Sequence, residues 1–278
     1  MGDGAPCGGG RVTLLRDGAS HAPPLLCFHG FLGVPEAFAE VARVSLHRGP
    51  IVGVRLPGHG SVPWGLELDG FDDAVREIAQ LLPVEGAHLL GYSMGGRVAL
   101  GLAEATAERV LSVTAVGAHP GIADLRAREA RHEVDLGWAT QLRSAGLTSF
   151  VDAWEKLPLF ASQALLSADA LAAQRTSRLA HTPEGLARAL EILGTGAMRP
   201  LGARLSEARV PVRFAVGALD RDYVAHARSM SRRSPFVEAW IVSGVGHNLT
   251  LEAPSELARI VDSLTSGVES RPRRGNAP

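Results

Sequence analysis

The chain is poor in cysteine, nearly neutral, and without an apolar run of membrane-spanning length, and each scarcity excludes a class of protein. Its two cysteines, Cys7 in a Gly-rich start and Cys27 in an apolar run, give no sign of a disulfide framework, so a reducing cytoplasm is the expected compartment. With 28 basic and 29 acidic residues the formal charge is -1, which offers no footing for nucleic acid or an anionic membrane. Any strong field must be local. The first thirty residues do not join a basic start to an uninterrupted apolar run, so neither a secretory signal nor a membrane partner is expected. The histidines make no H-E-x-x-H or paired-ligand pattern, so no metal and no other cofactor is expected. No internal repeat stands out.

What is present suffices for a full core. A chain of 278 residues, 46% of them hydrophobic, buries roughly three quarters of its unfolded surface, as one α/β domain with an insertion or as two modest domains. Residues 11–15 read as an edge strand. Residues 24–28 are a short apolar run ending in His29-Gly30-Phe31-Leu32-Gly33, a buried strand leading into a Gly-flanked loop. Helical spacing follows over residues 35–46, then a strand over 51–56, the turn Pro57-Gly58-His59-Gly60, and a helix over 71–82 with Phe71, Val75, Ile78 and Leu82 as its apolar stripe. Residues 87–90 and Val110–Val116 are further strands. Such alternation implies a mostly parallel sheet covered by helices on both faces. From Gly121 to about Leu205 it stops: the stretch is helical throughout and reads as a lid inserted into the α/β core. Strands resume over 212–216 and Val237–Val242, and a helix over 254–264 closes the pattern. The expected organisation is therefore core over 11–120, lid over 121–205 and core again over 206–266, with 1–10 and 267–278 disordered.

The chemistry is expected at residues 89–98. An apolar strand stops at Gly91-Tyr92-Ser93-Met94-Gly95, and helix-forming residues begin directly after it, which is the layout of a nucleophile elbow with Ser93 at the apex. A side chain at Gly91 or Gly95 would crowd so tight a turn. A serine hydroxyl is a poor nucleophile or base near neutral pH, so it needs an imidazole, and the imidazole needs a carboxylate to fix its tautomer. Asp220 and His247 each follow a strand, in the order Ser, acid, His of α/β-hydrolase folds, and where open α/β sheets bind ligands. Asp222, two residues on, is the competing acid. The oxyanion hole is expected from the backbone amides of Met94 and Phe31. His29 is read as a brace of its loop and His59 as a turn residue. Arg97, four residues after Ser93, shares its helix face and finds no acid at positions 93, 94, 100 or 101. It either reaches the site, which then takes an anion, or caps a carbonyl at the sheet edge.

At this point the residues resemble a family. The His29-Gly30-Phe31 loop, Leu56-Pro57-Gly58-His59-Gly60, Gly91-Tyr92-Ser93-Met94-Gly95-Gly96-Arg97, His119-Pro120-Gly121 and Gly246-His247-Asn248 are similar to the 2-succinyl-6-hydroxy-2,4-cyclohexadiene-1-carboxylate synthases of menaquinone biosynthesis, the MenH type. The likeness runs from about residue 23 to 266; the Tyr-Ser-x-Gly-Gly-Arg elbow and the lid are its more selective parts. Within the lid, Arg131 resembles the family's arginine, with Arg128 as a substitute, and Trp154 and Arg178 match two further positions. The resemblance implies an α/β-hydrolase fold and a lyase that eliminates pyruvate from a tricarboxylate. Ser93, polarised by His247 and Asp220, would abstract a ring proton, Arg97, Arg131 and Arg178 would clamp carboxylates, and Tyr92 and Trp154 would shape the pocket. Two positions depart from the family: Arg55, where an acid is usual, and Glu155, where an aromatic can occur. A carboxylesterase of small esters is the rival reading, and a non-catalytic ligand-binding member of the fold is the third. The expected partner is a small tricarboxylate, acting on a monomer or homodimer.

Overall fold

A computed structural model describes residues 10–207 and 210–269. Its strands are β1 (Val12–Arg16), β2 (Leu25–Phe28), β3 (Ile51–Val54), β4 (Ala87–Tyr92), β5 (Val110–Val116), β6 (Val212–Gly217) and β7 (Val237–Val242). They form one sheet in the order β1-β3-β2-β4-β5-β6-β7, in which β1 runs antiparallel to β3 and every other neighbour is parallel. Burial explains their composition. The central strands β2, β4 and β6 are buried at every position, as a parallel sheet covered on both faces requires, whereas the edge strands β1 and β7 alternate.

The helices are α1 (Ala39–Val44), α2 (Phe71–Ala79), α3 (Met94–Ala105), α4 (Leu125–Trp154), α5 (Ala168–Arg178), α6 (Pro183–Leu193), α7 (Gly202–Glu207), α8 (Arg221–Ser231), α9 (Leu249–Glu252) and α10 (Pro254–Glu269). Helix α2 buries one stripe, Phe71, Ala74, Val75, Ile78 and Ala79, and is amphipathic. Helix α3 is buried from Met94 to Ala103, because it lies in the centre of the molecule behind the elbow. The expected helix over residues 35–46 is instead a 3-10 turn, Pro35–Phe38, followed by the short α1, since Pro35 sets a tight first turn. The last helix continues to Glu269, past the expected end at 264 and into the expected disordered tail. The remainder of that expectation, at 1–9 and 270–278, lies outside the described residues, as does Cys7.

Between β5 and β6 the described chain is helical. Helix α4 bends at Gly146 (φ 77°, ψ 169°), so it is two helices meeting at a residue without a Cβ. Its inner face packs Ala139, Leu142, Phe150 and Val151 against Leu186, Ala187 and Leu190 of α6 and against Leu32 of the loop after β2. Met198, Leu201 and Leu205 then join the apolar cluster that includes Phe214 of β6, so the segment has rejoined the core by α7. No helix among the described residues is long and apolar enough to cross a membrane.

Candidate active site

The sheet order reverses between β2 and β4: β3 lies on one side of β2 and the later strands on the other. The loops leaving β2 and β4 therefore diverge and open a crevice, the usual ligand position in such sheets. Here the crevice is a cavity of about 580 Å³ lined by Phe31, Ser93, Met94, His247 and residues of the helical segment above.

Ser93 sits at the turn from β4 into α3 with φ 51° and ψ -107°. A Cβ at Gly91 would strike the carbonyl of Gly95, and one at Gly95 would strike the carbonyl of Phe28, so the turn admits glycine alone at both places. Leu32 (φ 61°) is the other non-glycine residue of positive φ among the described residues, and it lies in the facing loop. Strain of this kind, outside glycine, persists where surrounding packing fixes it.

The Ser93 hydroxyl lies 3.2 Å from Nε2 of His247, whose Nδ1-H donates to Oδ2 of Asp220 over 2.6 Å. Both ring nitrogens are thereby engaged, and the imidazole is 1% exposed. Asp222, by contrast, is exposed in the first turn of α8, so the geometry brings Asp220 to His247 and leaves its competitor outside. Gly117, with φ 51° at the end of β5, makes room for the imidazole, since a Cβ there would meet its Cε1 at 3.0 Å. Met94 opens α3, whose first N–H groups have no acceptor inside the helix, and Met94 and Phe31 both line the cavity.

Arg97 lies at the cavity, and the carbonyl it meets belongs to a helix end and not to the sheet edge. It lines the cavity, 5% exposed, and its Nη2 donates over 2.6 Å to the carbonyl of Leu193, at the negative end of α6. Among the described residues it forms no ion pair with an acid, and its buried Nε has no acceptor there. Burial pushes its pKa down to about 10, with Tyr223 raising it, Arg131 lowering it and Asp135 raising it, so it stays charged at neutral pH. Arg131 also lines the cavity, and its Nε donates over 2.9 Å to Asp135, whose other oxygen accepts from Gly196. Arg128 turns instead toward the carbonyl of Ile122 and does not line the cavity. Arg178 is buried, stands over the Phe160 ring at 5.4 Å, and pairs with Glu155 at 3.0 Å.

The departure at position 155 thus has a local reason: Glu155 bridges Arg175 and Arg178. The departure at Arg55 stays at the strand end, where its carbonyl accepts from Trp64. Trp154 stacks on Phe150 (5.5 Å, 18°) and meets Phe31 edge-on, which ties the roof of the cavity to the loop below. Tyr92 is buried against His247, and burial raises its pKa, so it is a neutral phenol. His29 braces its loop: Nδ1-H donates to the Gly30 carbonyl, and Nε2 accepts from the Leu56 amide. His59 stacks edge-on with His29 and with His181 at the foot of α6.

Two residues escaped the sequence reading. Glu252 brackets His247 by accepting from the amides of Gly246 (2.7 Å) and Asn248 (3.0 Å). Tyr223 lines the cavity beside His247. The signal for the first was an acid five residues after a candidate histidine, and for the second an aromatic three residues after the candidate acid; neither spacing is distinctive alone.

Known proteins match the chain over most of its length. The family described as alpha/beta hydrolase fold matches residues 23–233. A Bacillus subtilis protein provisionally named 2-succinyl-6-hydroxy-2,4-cyclohexadiene-1-carboxylate synthase is 29% identical over 265 residues, 94% of this chain and 96% of its own. The synthase of that name from Serratia proteamaculans is 30% identical over 251 residues, 89% of this chain and 94% of its own. The structure of MenH from S. aureus superposes with a TM-score of 0.87 at 28% identity, covering 93% of this chain and 99% of that one.

Proposed function

Since the chain belongs to the α/β-hydrolase fold family and, within it, to the 2-succinyl-6-hydroxy-2,4-cyclohexadiene-1-carboxylate synthases, we propose that it is a carbon-oxygen lyase of menaquinone biosynthesis. Its substrate is 2-succinyl-5-enolpyruvyl-6-hydroxy-3-cyclohexene-1-carboxylate, from which it releases pyruvate. His247, oriented by Asp220, takes the Ser93 proton as the serine oxygen removes a proton from the ring. The electron pair of the broken C–H bond forms a double bond to C3, the existing C3–C4 double bond shifts to C4–C5, and the C5–O bond breaks with its pair leaving on the enolate oxygen, which takes the proton held by His247. The leaving enol becomes pyruvate. Negative charge that develops on the succinyl carbonyl is met by the amides of Phe31 and Met94, which are fixed before the substrate arrives. Arg97, Arg131 and Arg178 hold carboxylates, and Tyr92 and Trp154 shape the space between.

The observation that carries this reading is Arg97, a buried guanidinium that pairs with no acid among the described residues and lines the same cavity as Ser93. In the free protein its guanidinium donates to a neutral carbonyl, and an arriving anion gives it a charge-assisted partner. A neutral ester gives it no such role. The test supplies the enolpyruvyl precursor in situ and measures pyruvate release. Release is expected; turnover of a nitrophenyl ester without pyruvate release would instead make the protein an esterase.

A further inference from the structure

Tyr223 is the third residue of α8 and lines the cavity with Ser93, Arg97 and Arg131. Its ring lies 4.7 Å from that of His247, tilted by 59°. The residue is half-buried, and its hydroxyl makes no hydrogen bond to another described residue. The nearest titratable neighbours have partners of their own. Both nitrogens of His247 are committed to Asp220 and Ser93, and the two oxygens of Asp135 accept from Arg131 and Gly196. The free O–H therefore points to a partner supplied from within the cavity.

The chemistry of that partner follows from the neighbours. Burial raises the phenol's pKa, which keeps it a neutral donor, while Arg97 and Arg131 stand close enough for their charges to act on it. A donor set beside two guanidinium groups matches an atom that only accepts, such as an anionic oxygen. We propose that the Tyr223 hydroxyl is the neutral third donor of a carboxylate subsite whose two charged donors are Arg97 and Arg131. This rests on the cavity being an anion-binding site, as argued under Proposed function. A neutral donor adds direction without a further buried charge, so it helps orient the carboxylate beside Ser93.

The Tyr223→Phe variant tests this, because it keeps the ring against His247 and removes only the O–H. Two readouts are used: binding of tricarballylate, a simple tricarboxylate, followed by the fluorescence of Trp138 and Trp154 in the cavity wall, and steady-state pyruvate release. Tricarballylate should bind the variant about tenfold more weakly than the wild type, and KM should rise by a similar factor with kcat within about threefold. Equal binding by both proteins overturns the role of Tyr223 alone. No binding even by the wild type overturns the anion site and this proposal with it. A fall in kcat at constant KM, with binding unchanged, overturns the proposal in favour of an action on His247.

Discussion

At the scale of single residues, the site sets one reactive hydroxyl beneath a positive charge that pairs with no acid among the described residues. Replacing Ser93 with alanine removes the oxygen that meets the ring proton, and pyruvate release should fall at least about a hundredfold while the thermal melt stays unchanged. Near-normal release would reject the assignment. Arg97 has two duties, so its alanine variant should fail in two measurable ways. The carboxylate loses a charge-assisted partner worth about 2 kcal/mol or more, seen in kcat/KM. The Leu193 carbonyl loses its donor as well, seen as a destabilisation of about 1 to 3 kcal/mol in denaturant titrations. An unaffected rate would place Arg97 outside the binding site.

At the scale of elements, the segment over the site is held by an apolar seam that runs down to the loop after β2. Phe150, fully buried, touches Trp138, Trp154 and Phe31 and packs in one cluster with Leu32. Truncation of Phe150 to alanine should cost about 3 to 5 kcal/mol, by lost transfer and an unfilled cavity. Because the seam joins roof and loop, KM should rise as well. A variant that melts like the wild type would mean that the segment is held by its surface ion pairs, such as Arg143 with Glu184 and Glu191, and not by this seam. The elbow and the strand-end positions of Asp220 and His247 were readable from glycine spacing and strand ends. The bend at Gly146 was not, because a lone glycine in a helical pattern is usually tolerated and only packing decides whether the chain turns there.

At the scale of the whole molecule, several histidines are buried as neutral rings, and this fixes the direction of the acid response. Burial lowers His29 and His88 to about 3 and His181 to about 4 from an ordinary value of 6.5, and holds His59 well below it. Unfolding releases these groups to their ordinary affinity, so below about pH 6.5 the unfolded chain binds the additional protons. Stability should therefore fall as pH drops from 6.5 toward 4, by about 1.4 kcal/mol per pH unit for each such histidine within the window. Above pH 7 this contribution is constant. Denaturant midpoints measured across that range check the slope, and His59→Gln should flatten it; an unchanged slope in that variant would remove His59 from the account.

Sequence alone determined the sheet with its alternating helices, the serine turn, the chain order of acid and imidazole, and the helical stretch between β5 and β6. Each is a local signal: periodicity, a glycine pair, a strand ending in a loop. The tertiary structure decided what depends on distance between remote segments. It chose Asp220 over Asp222, because only the first lies where β6 and β7 end side by side. It placed Arg131 and not Arg128 at the cavity, gave Glu155 its pair of arginines, and set Tyr223 in the cavity wall. Spacing along a chain says which residues share a strand end or a helix face. Which of them meet across the crevice is settled by how the sheet twists and how the helices above it pack, and both are properties of the assembled fold.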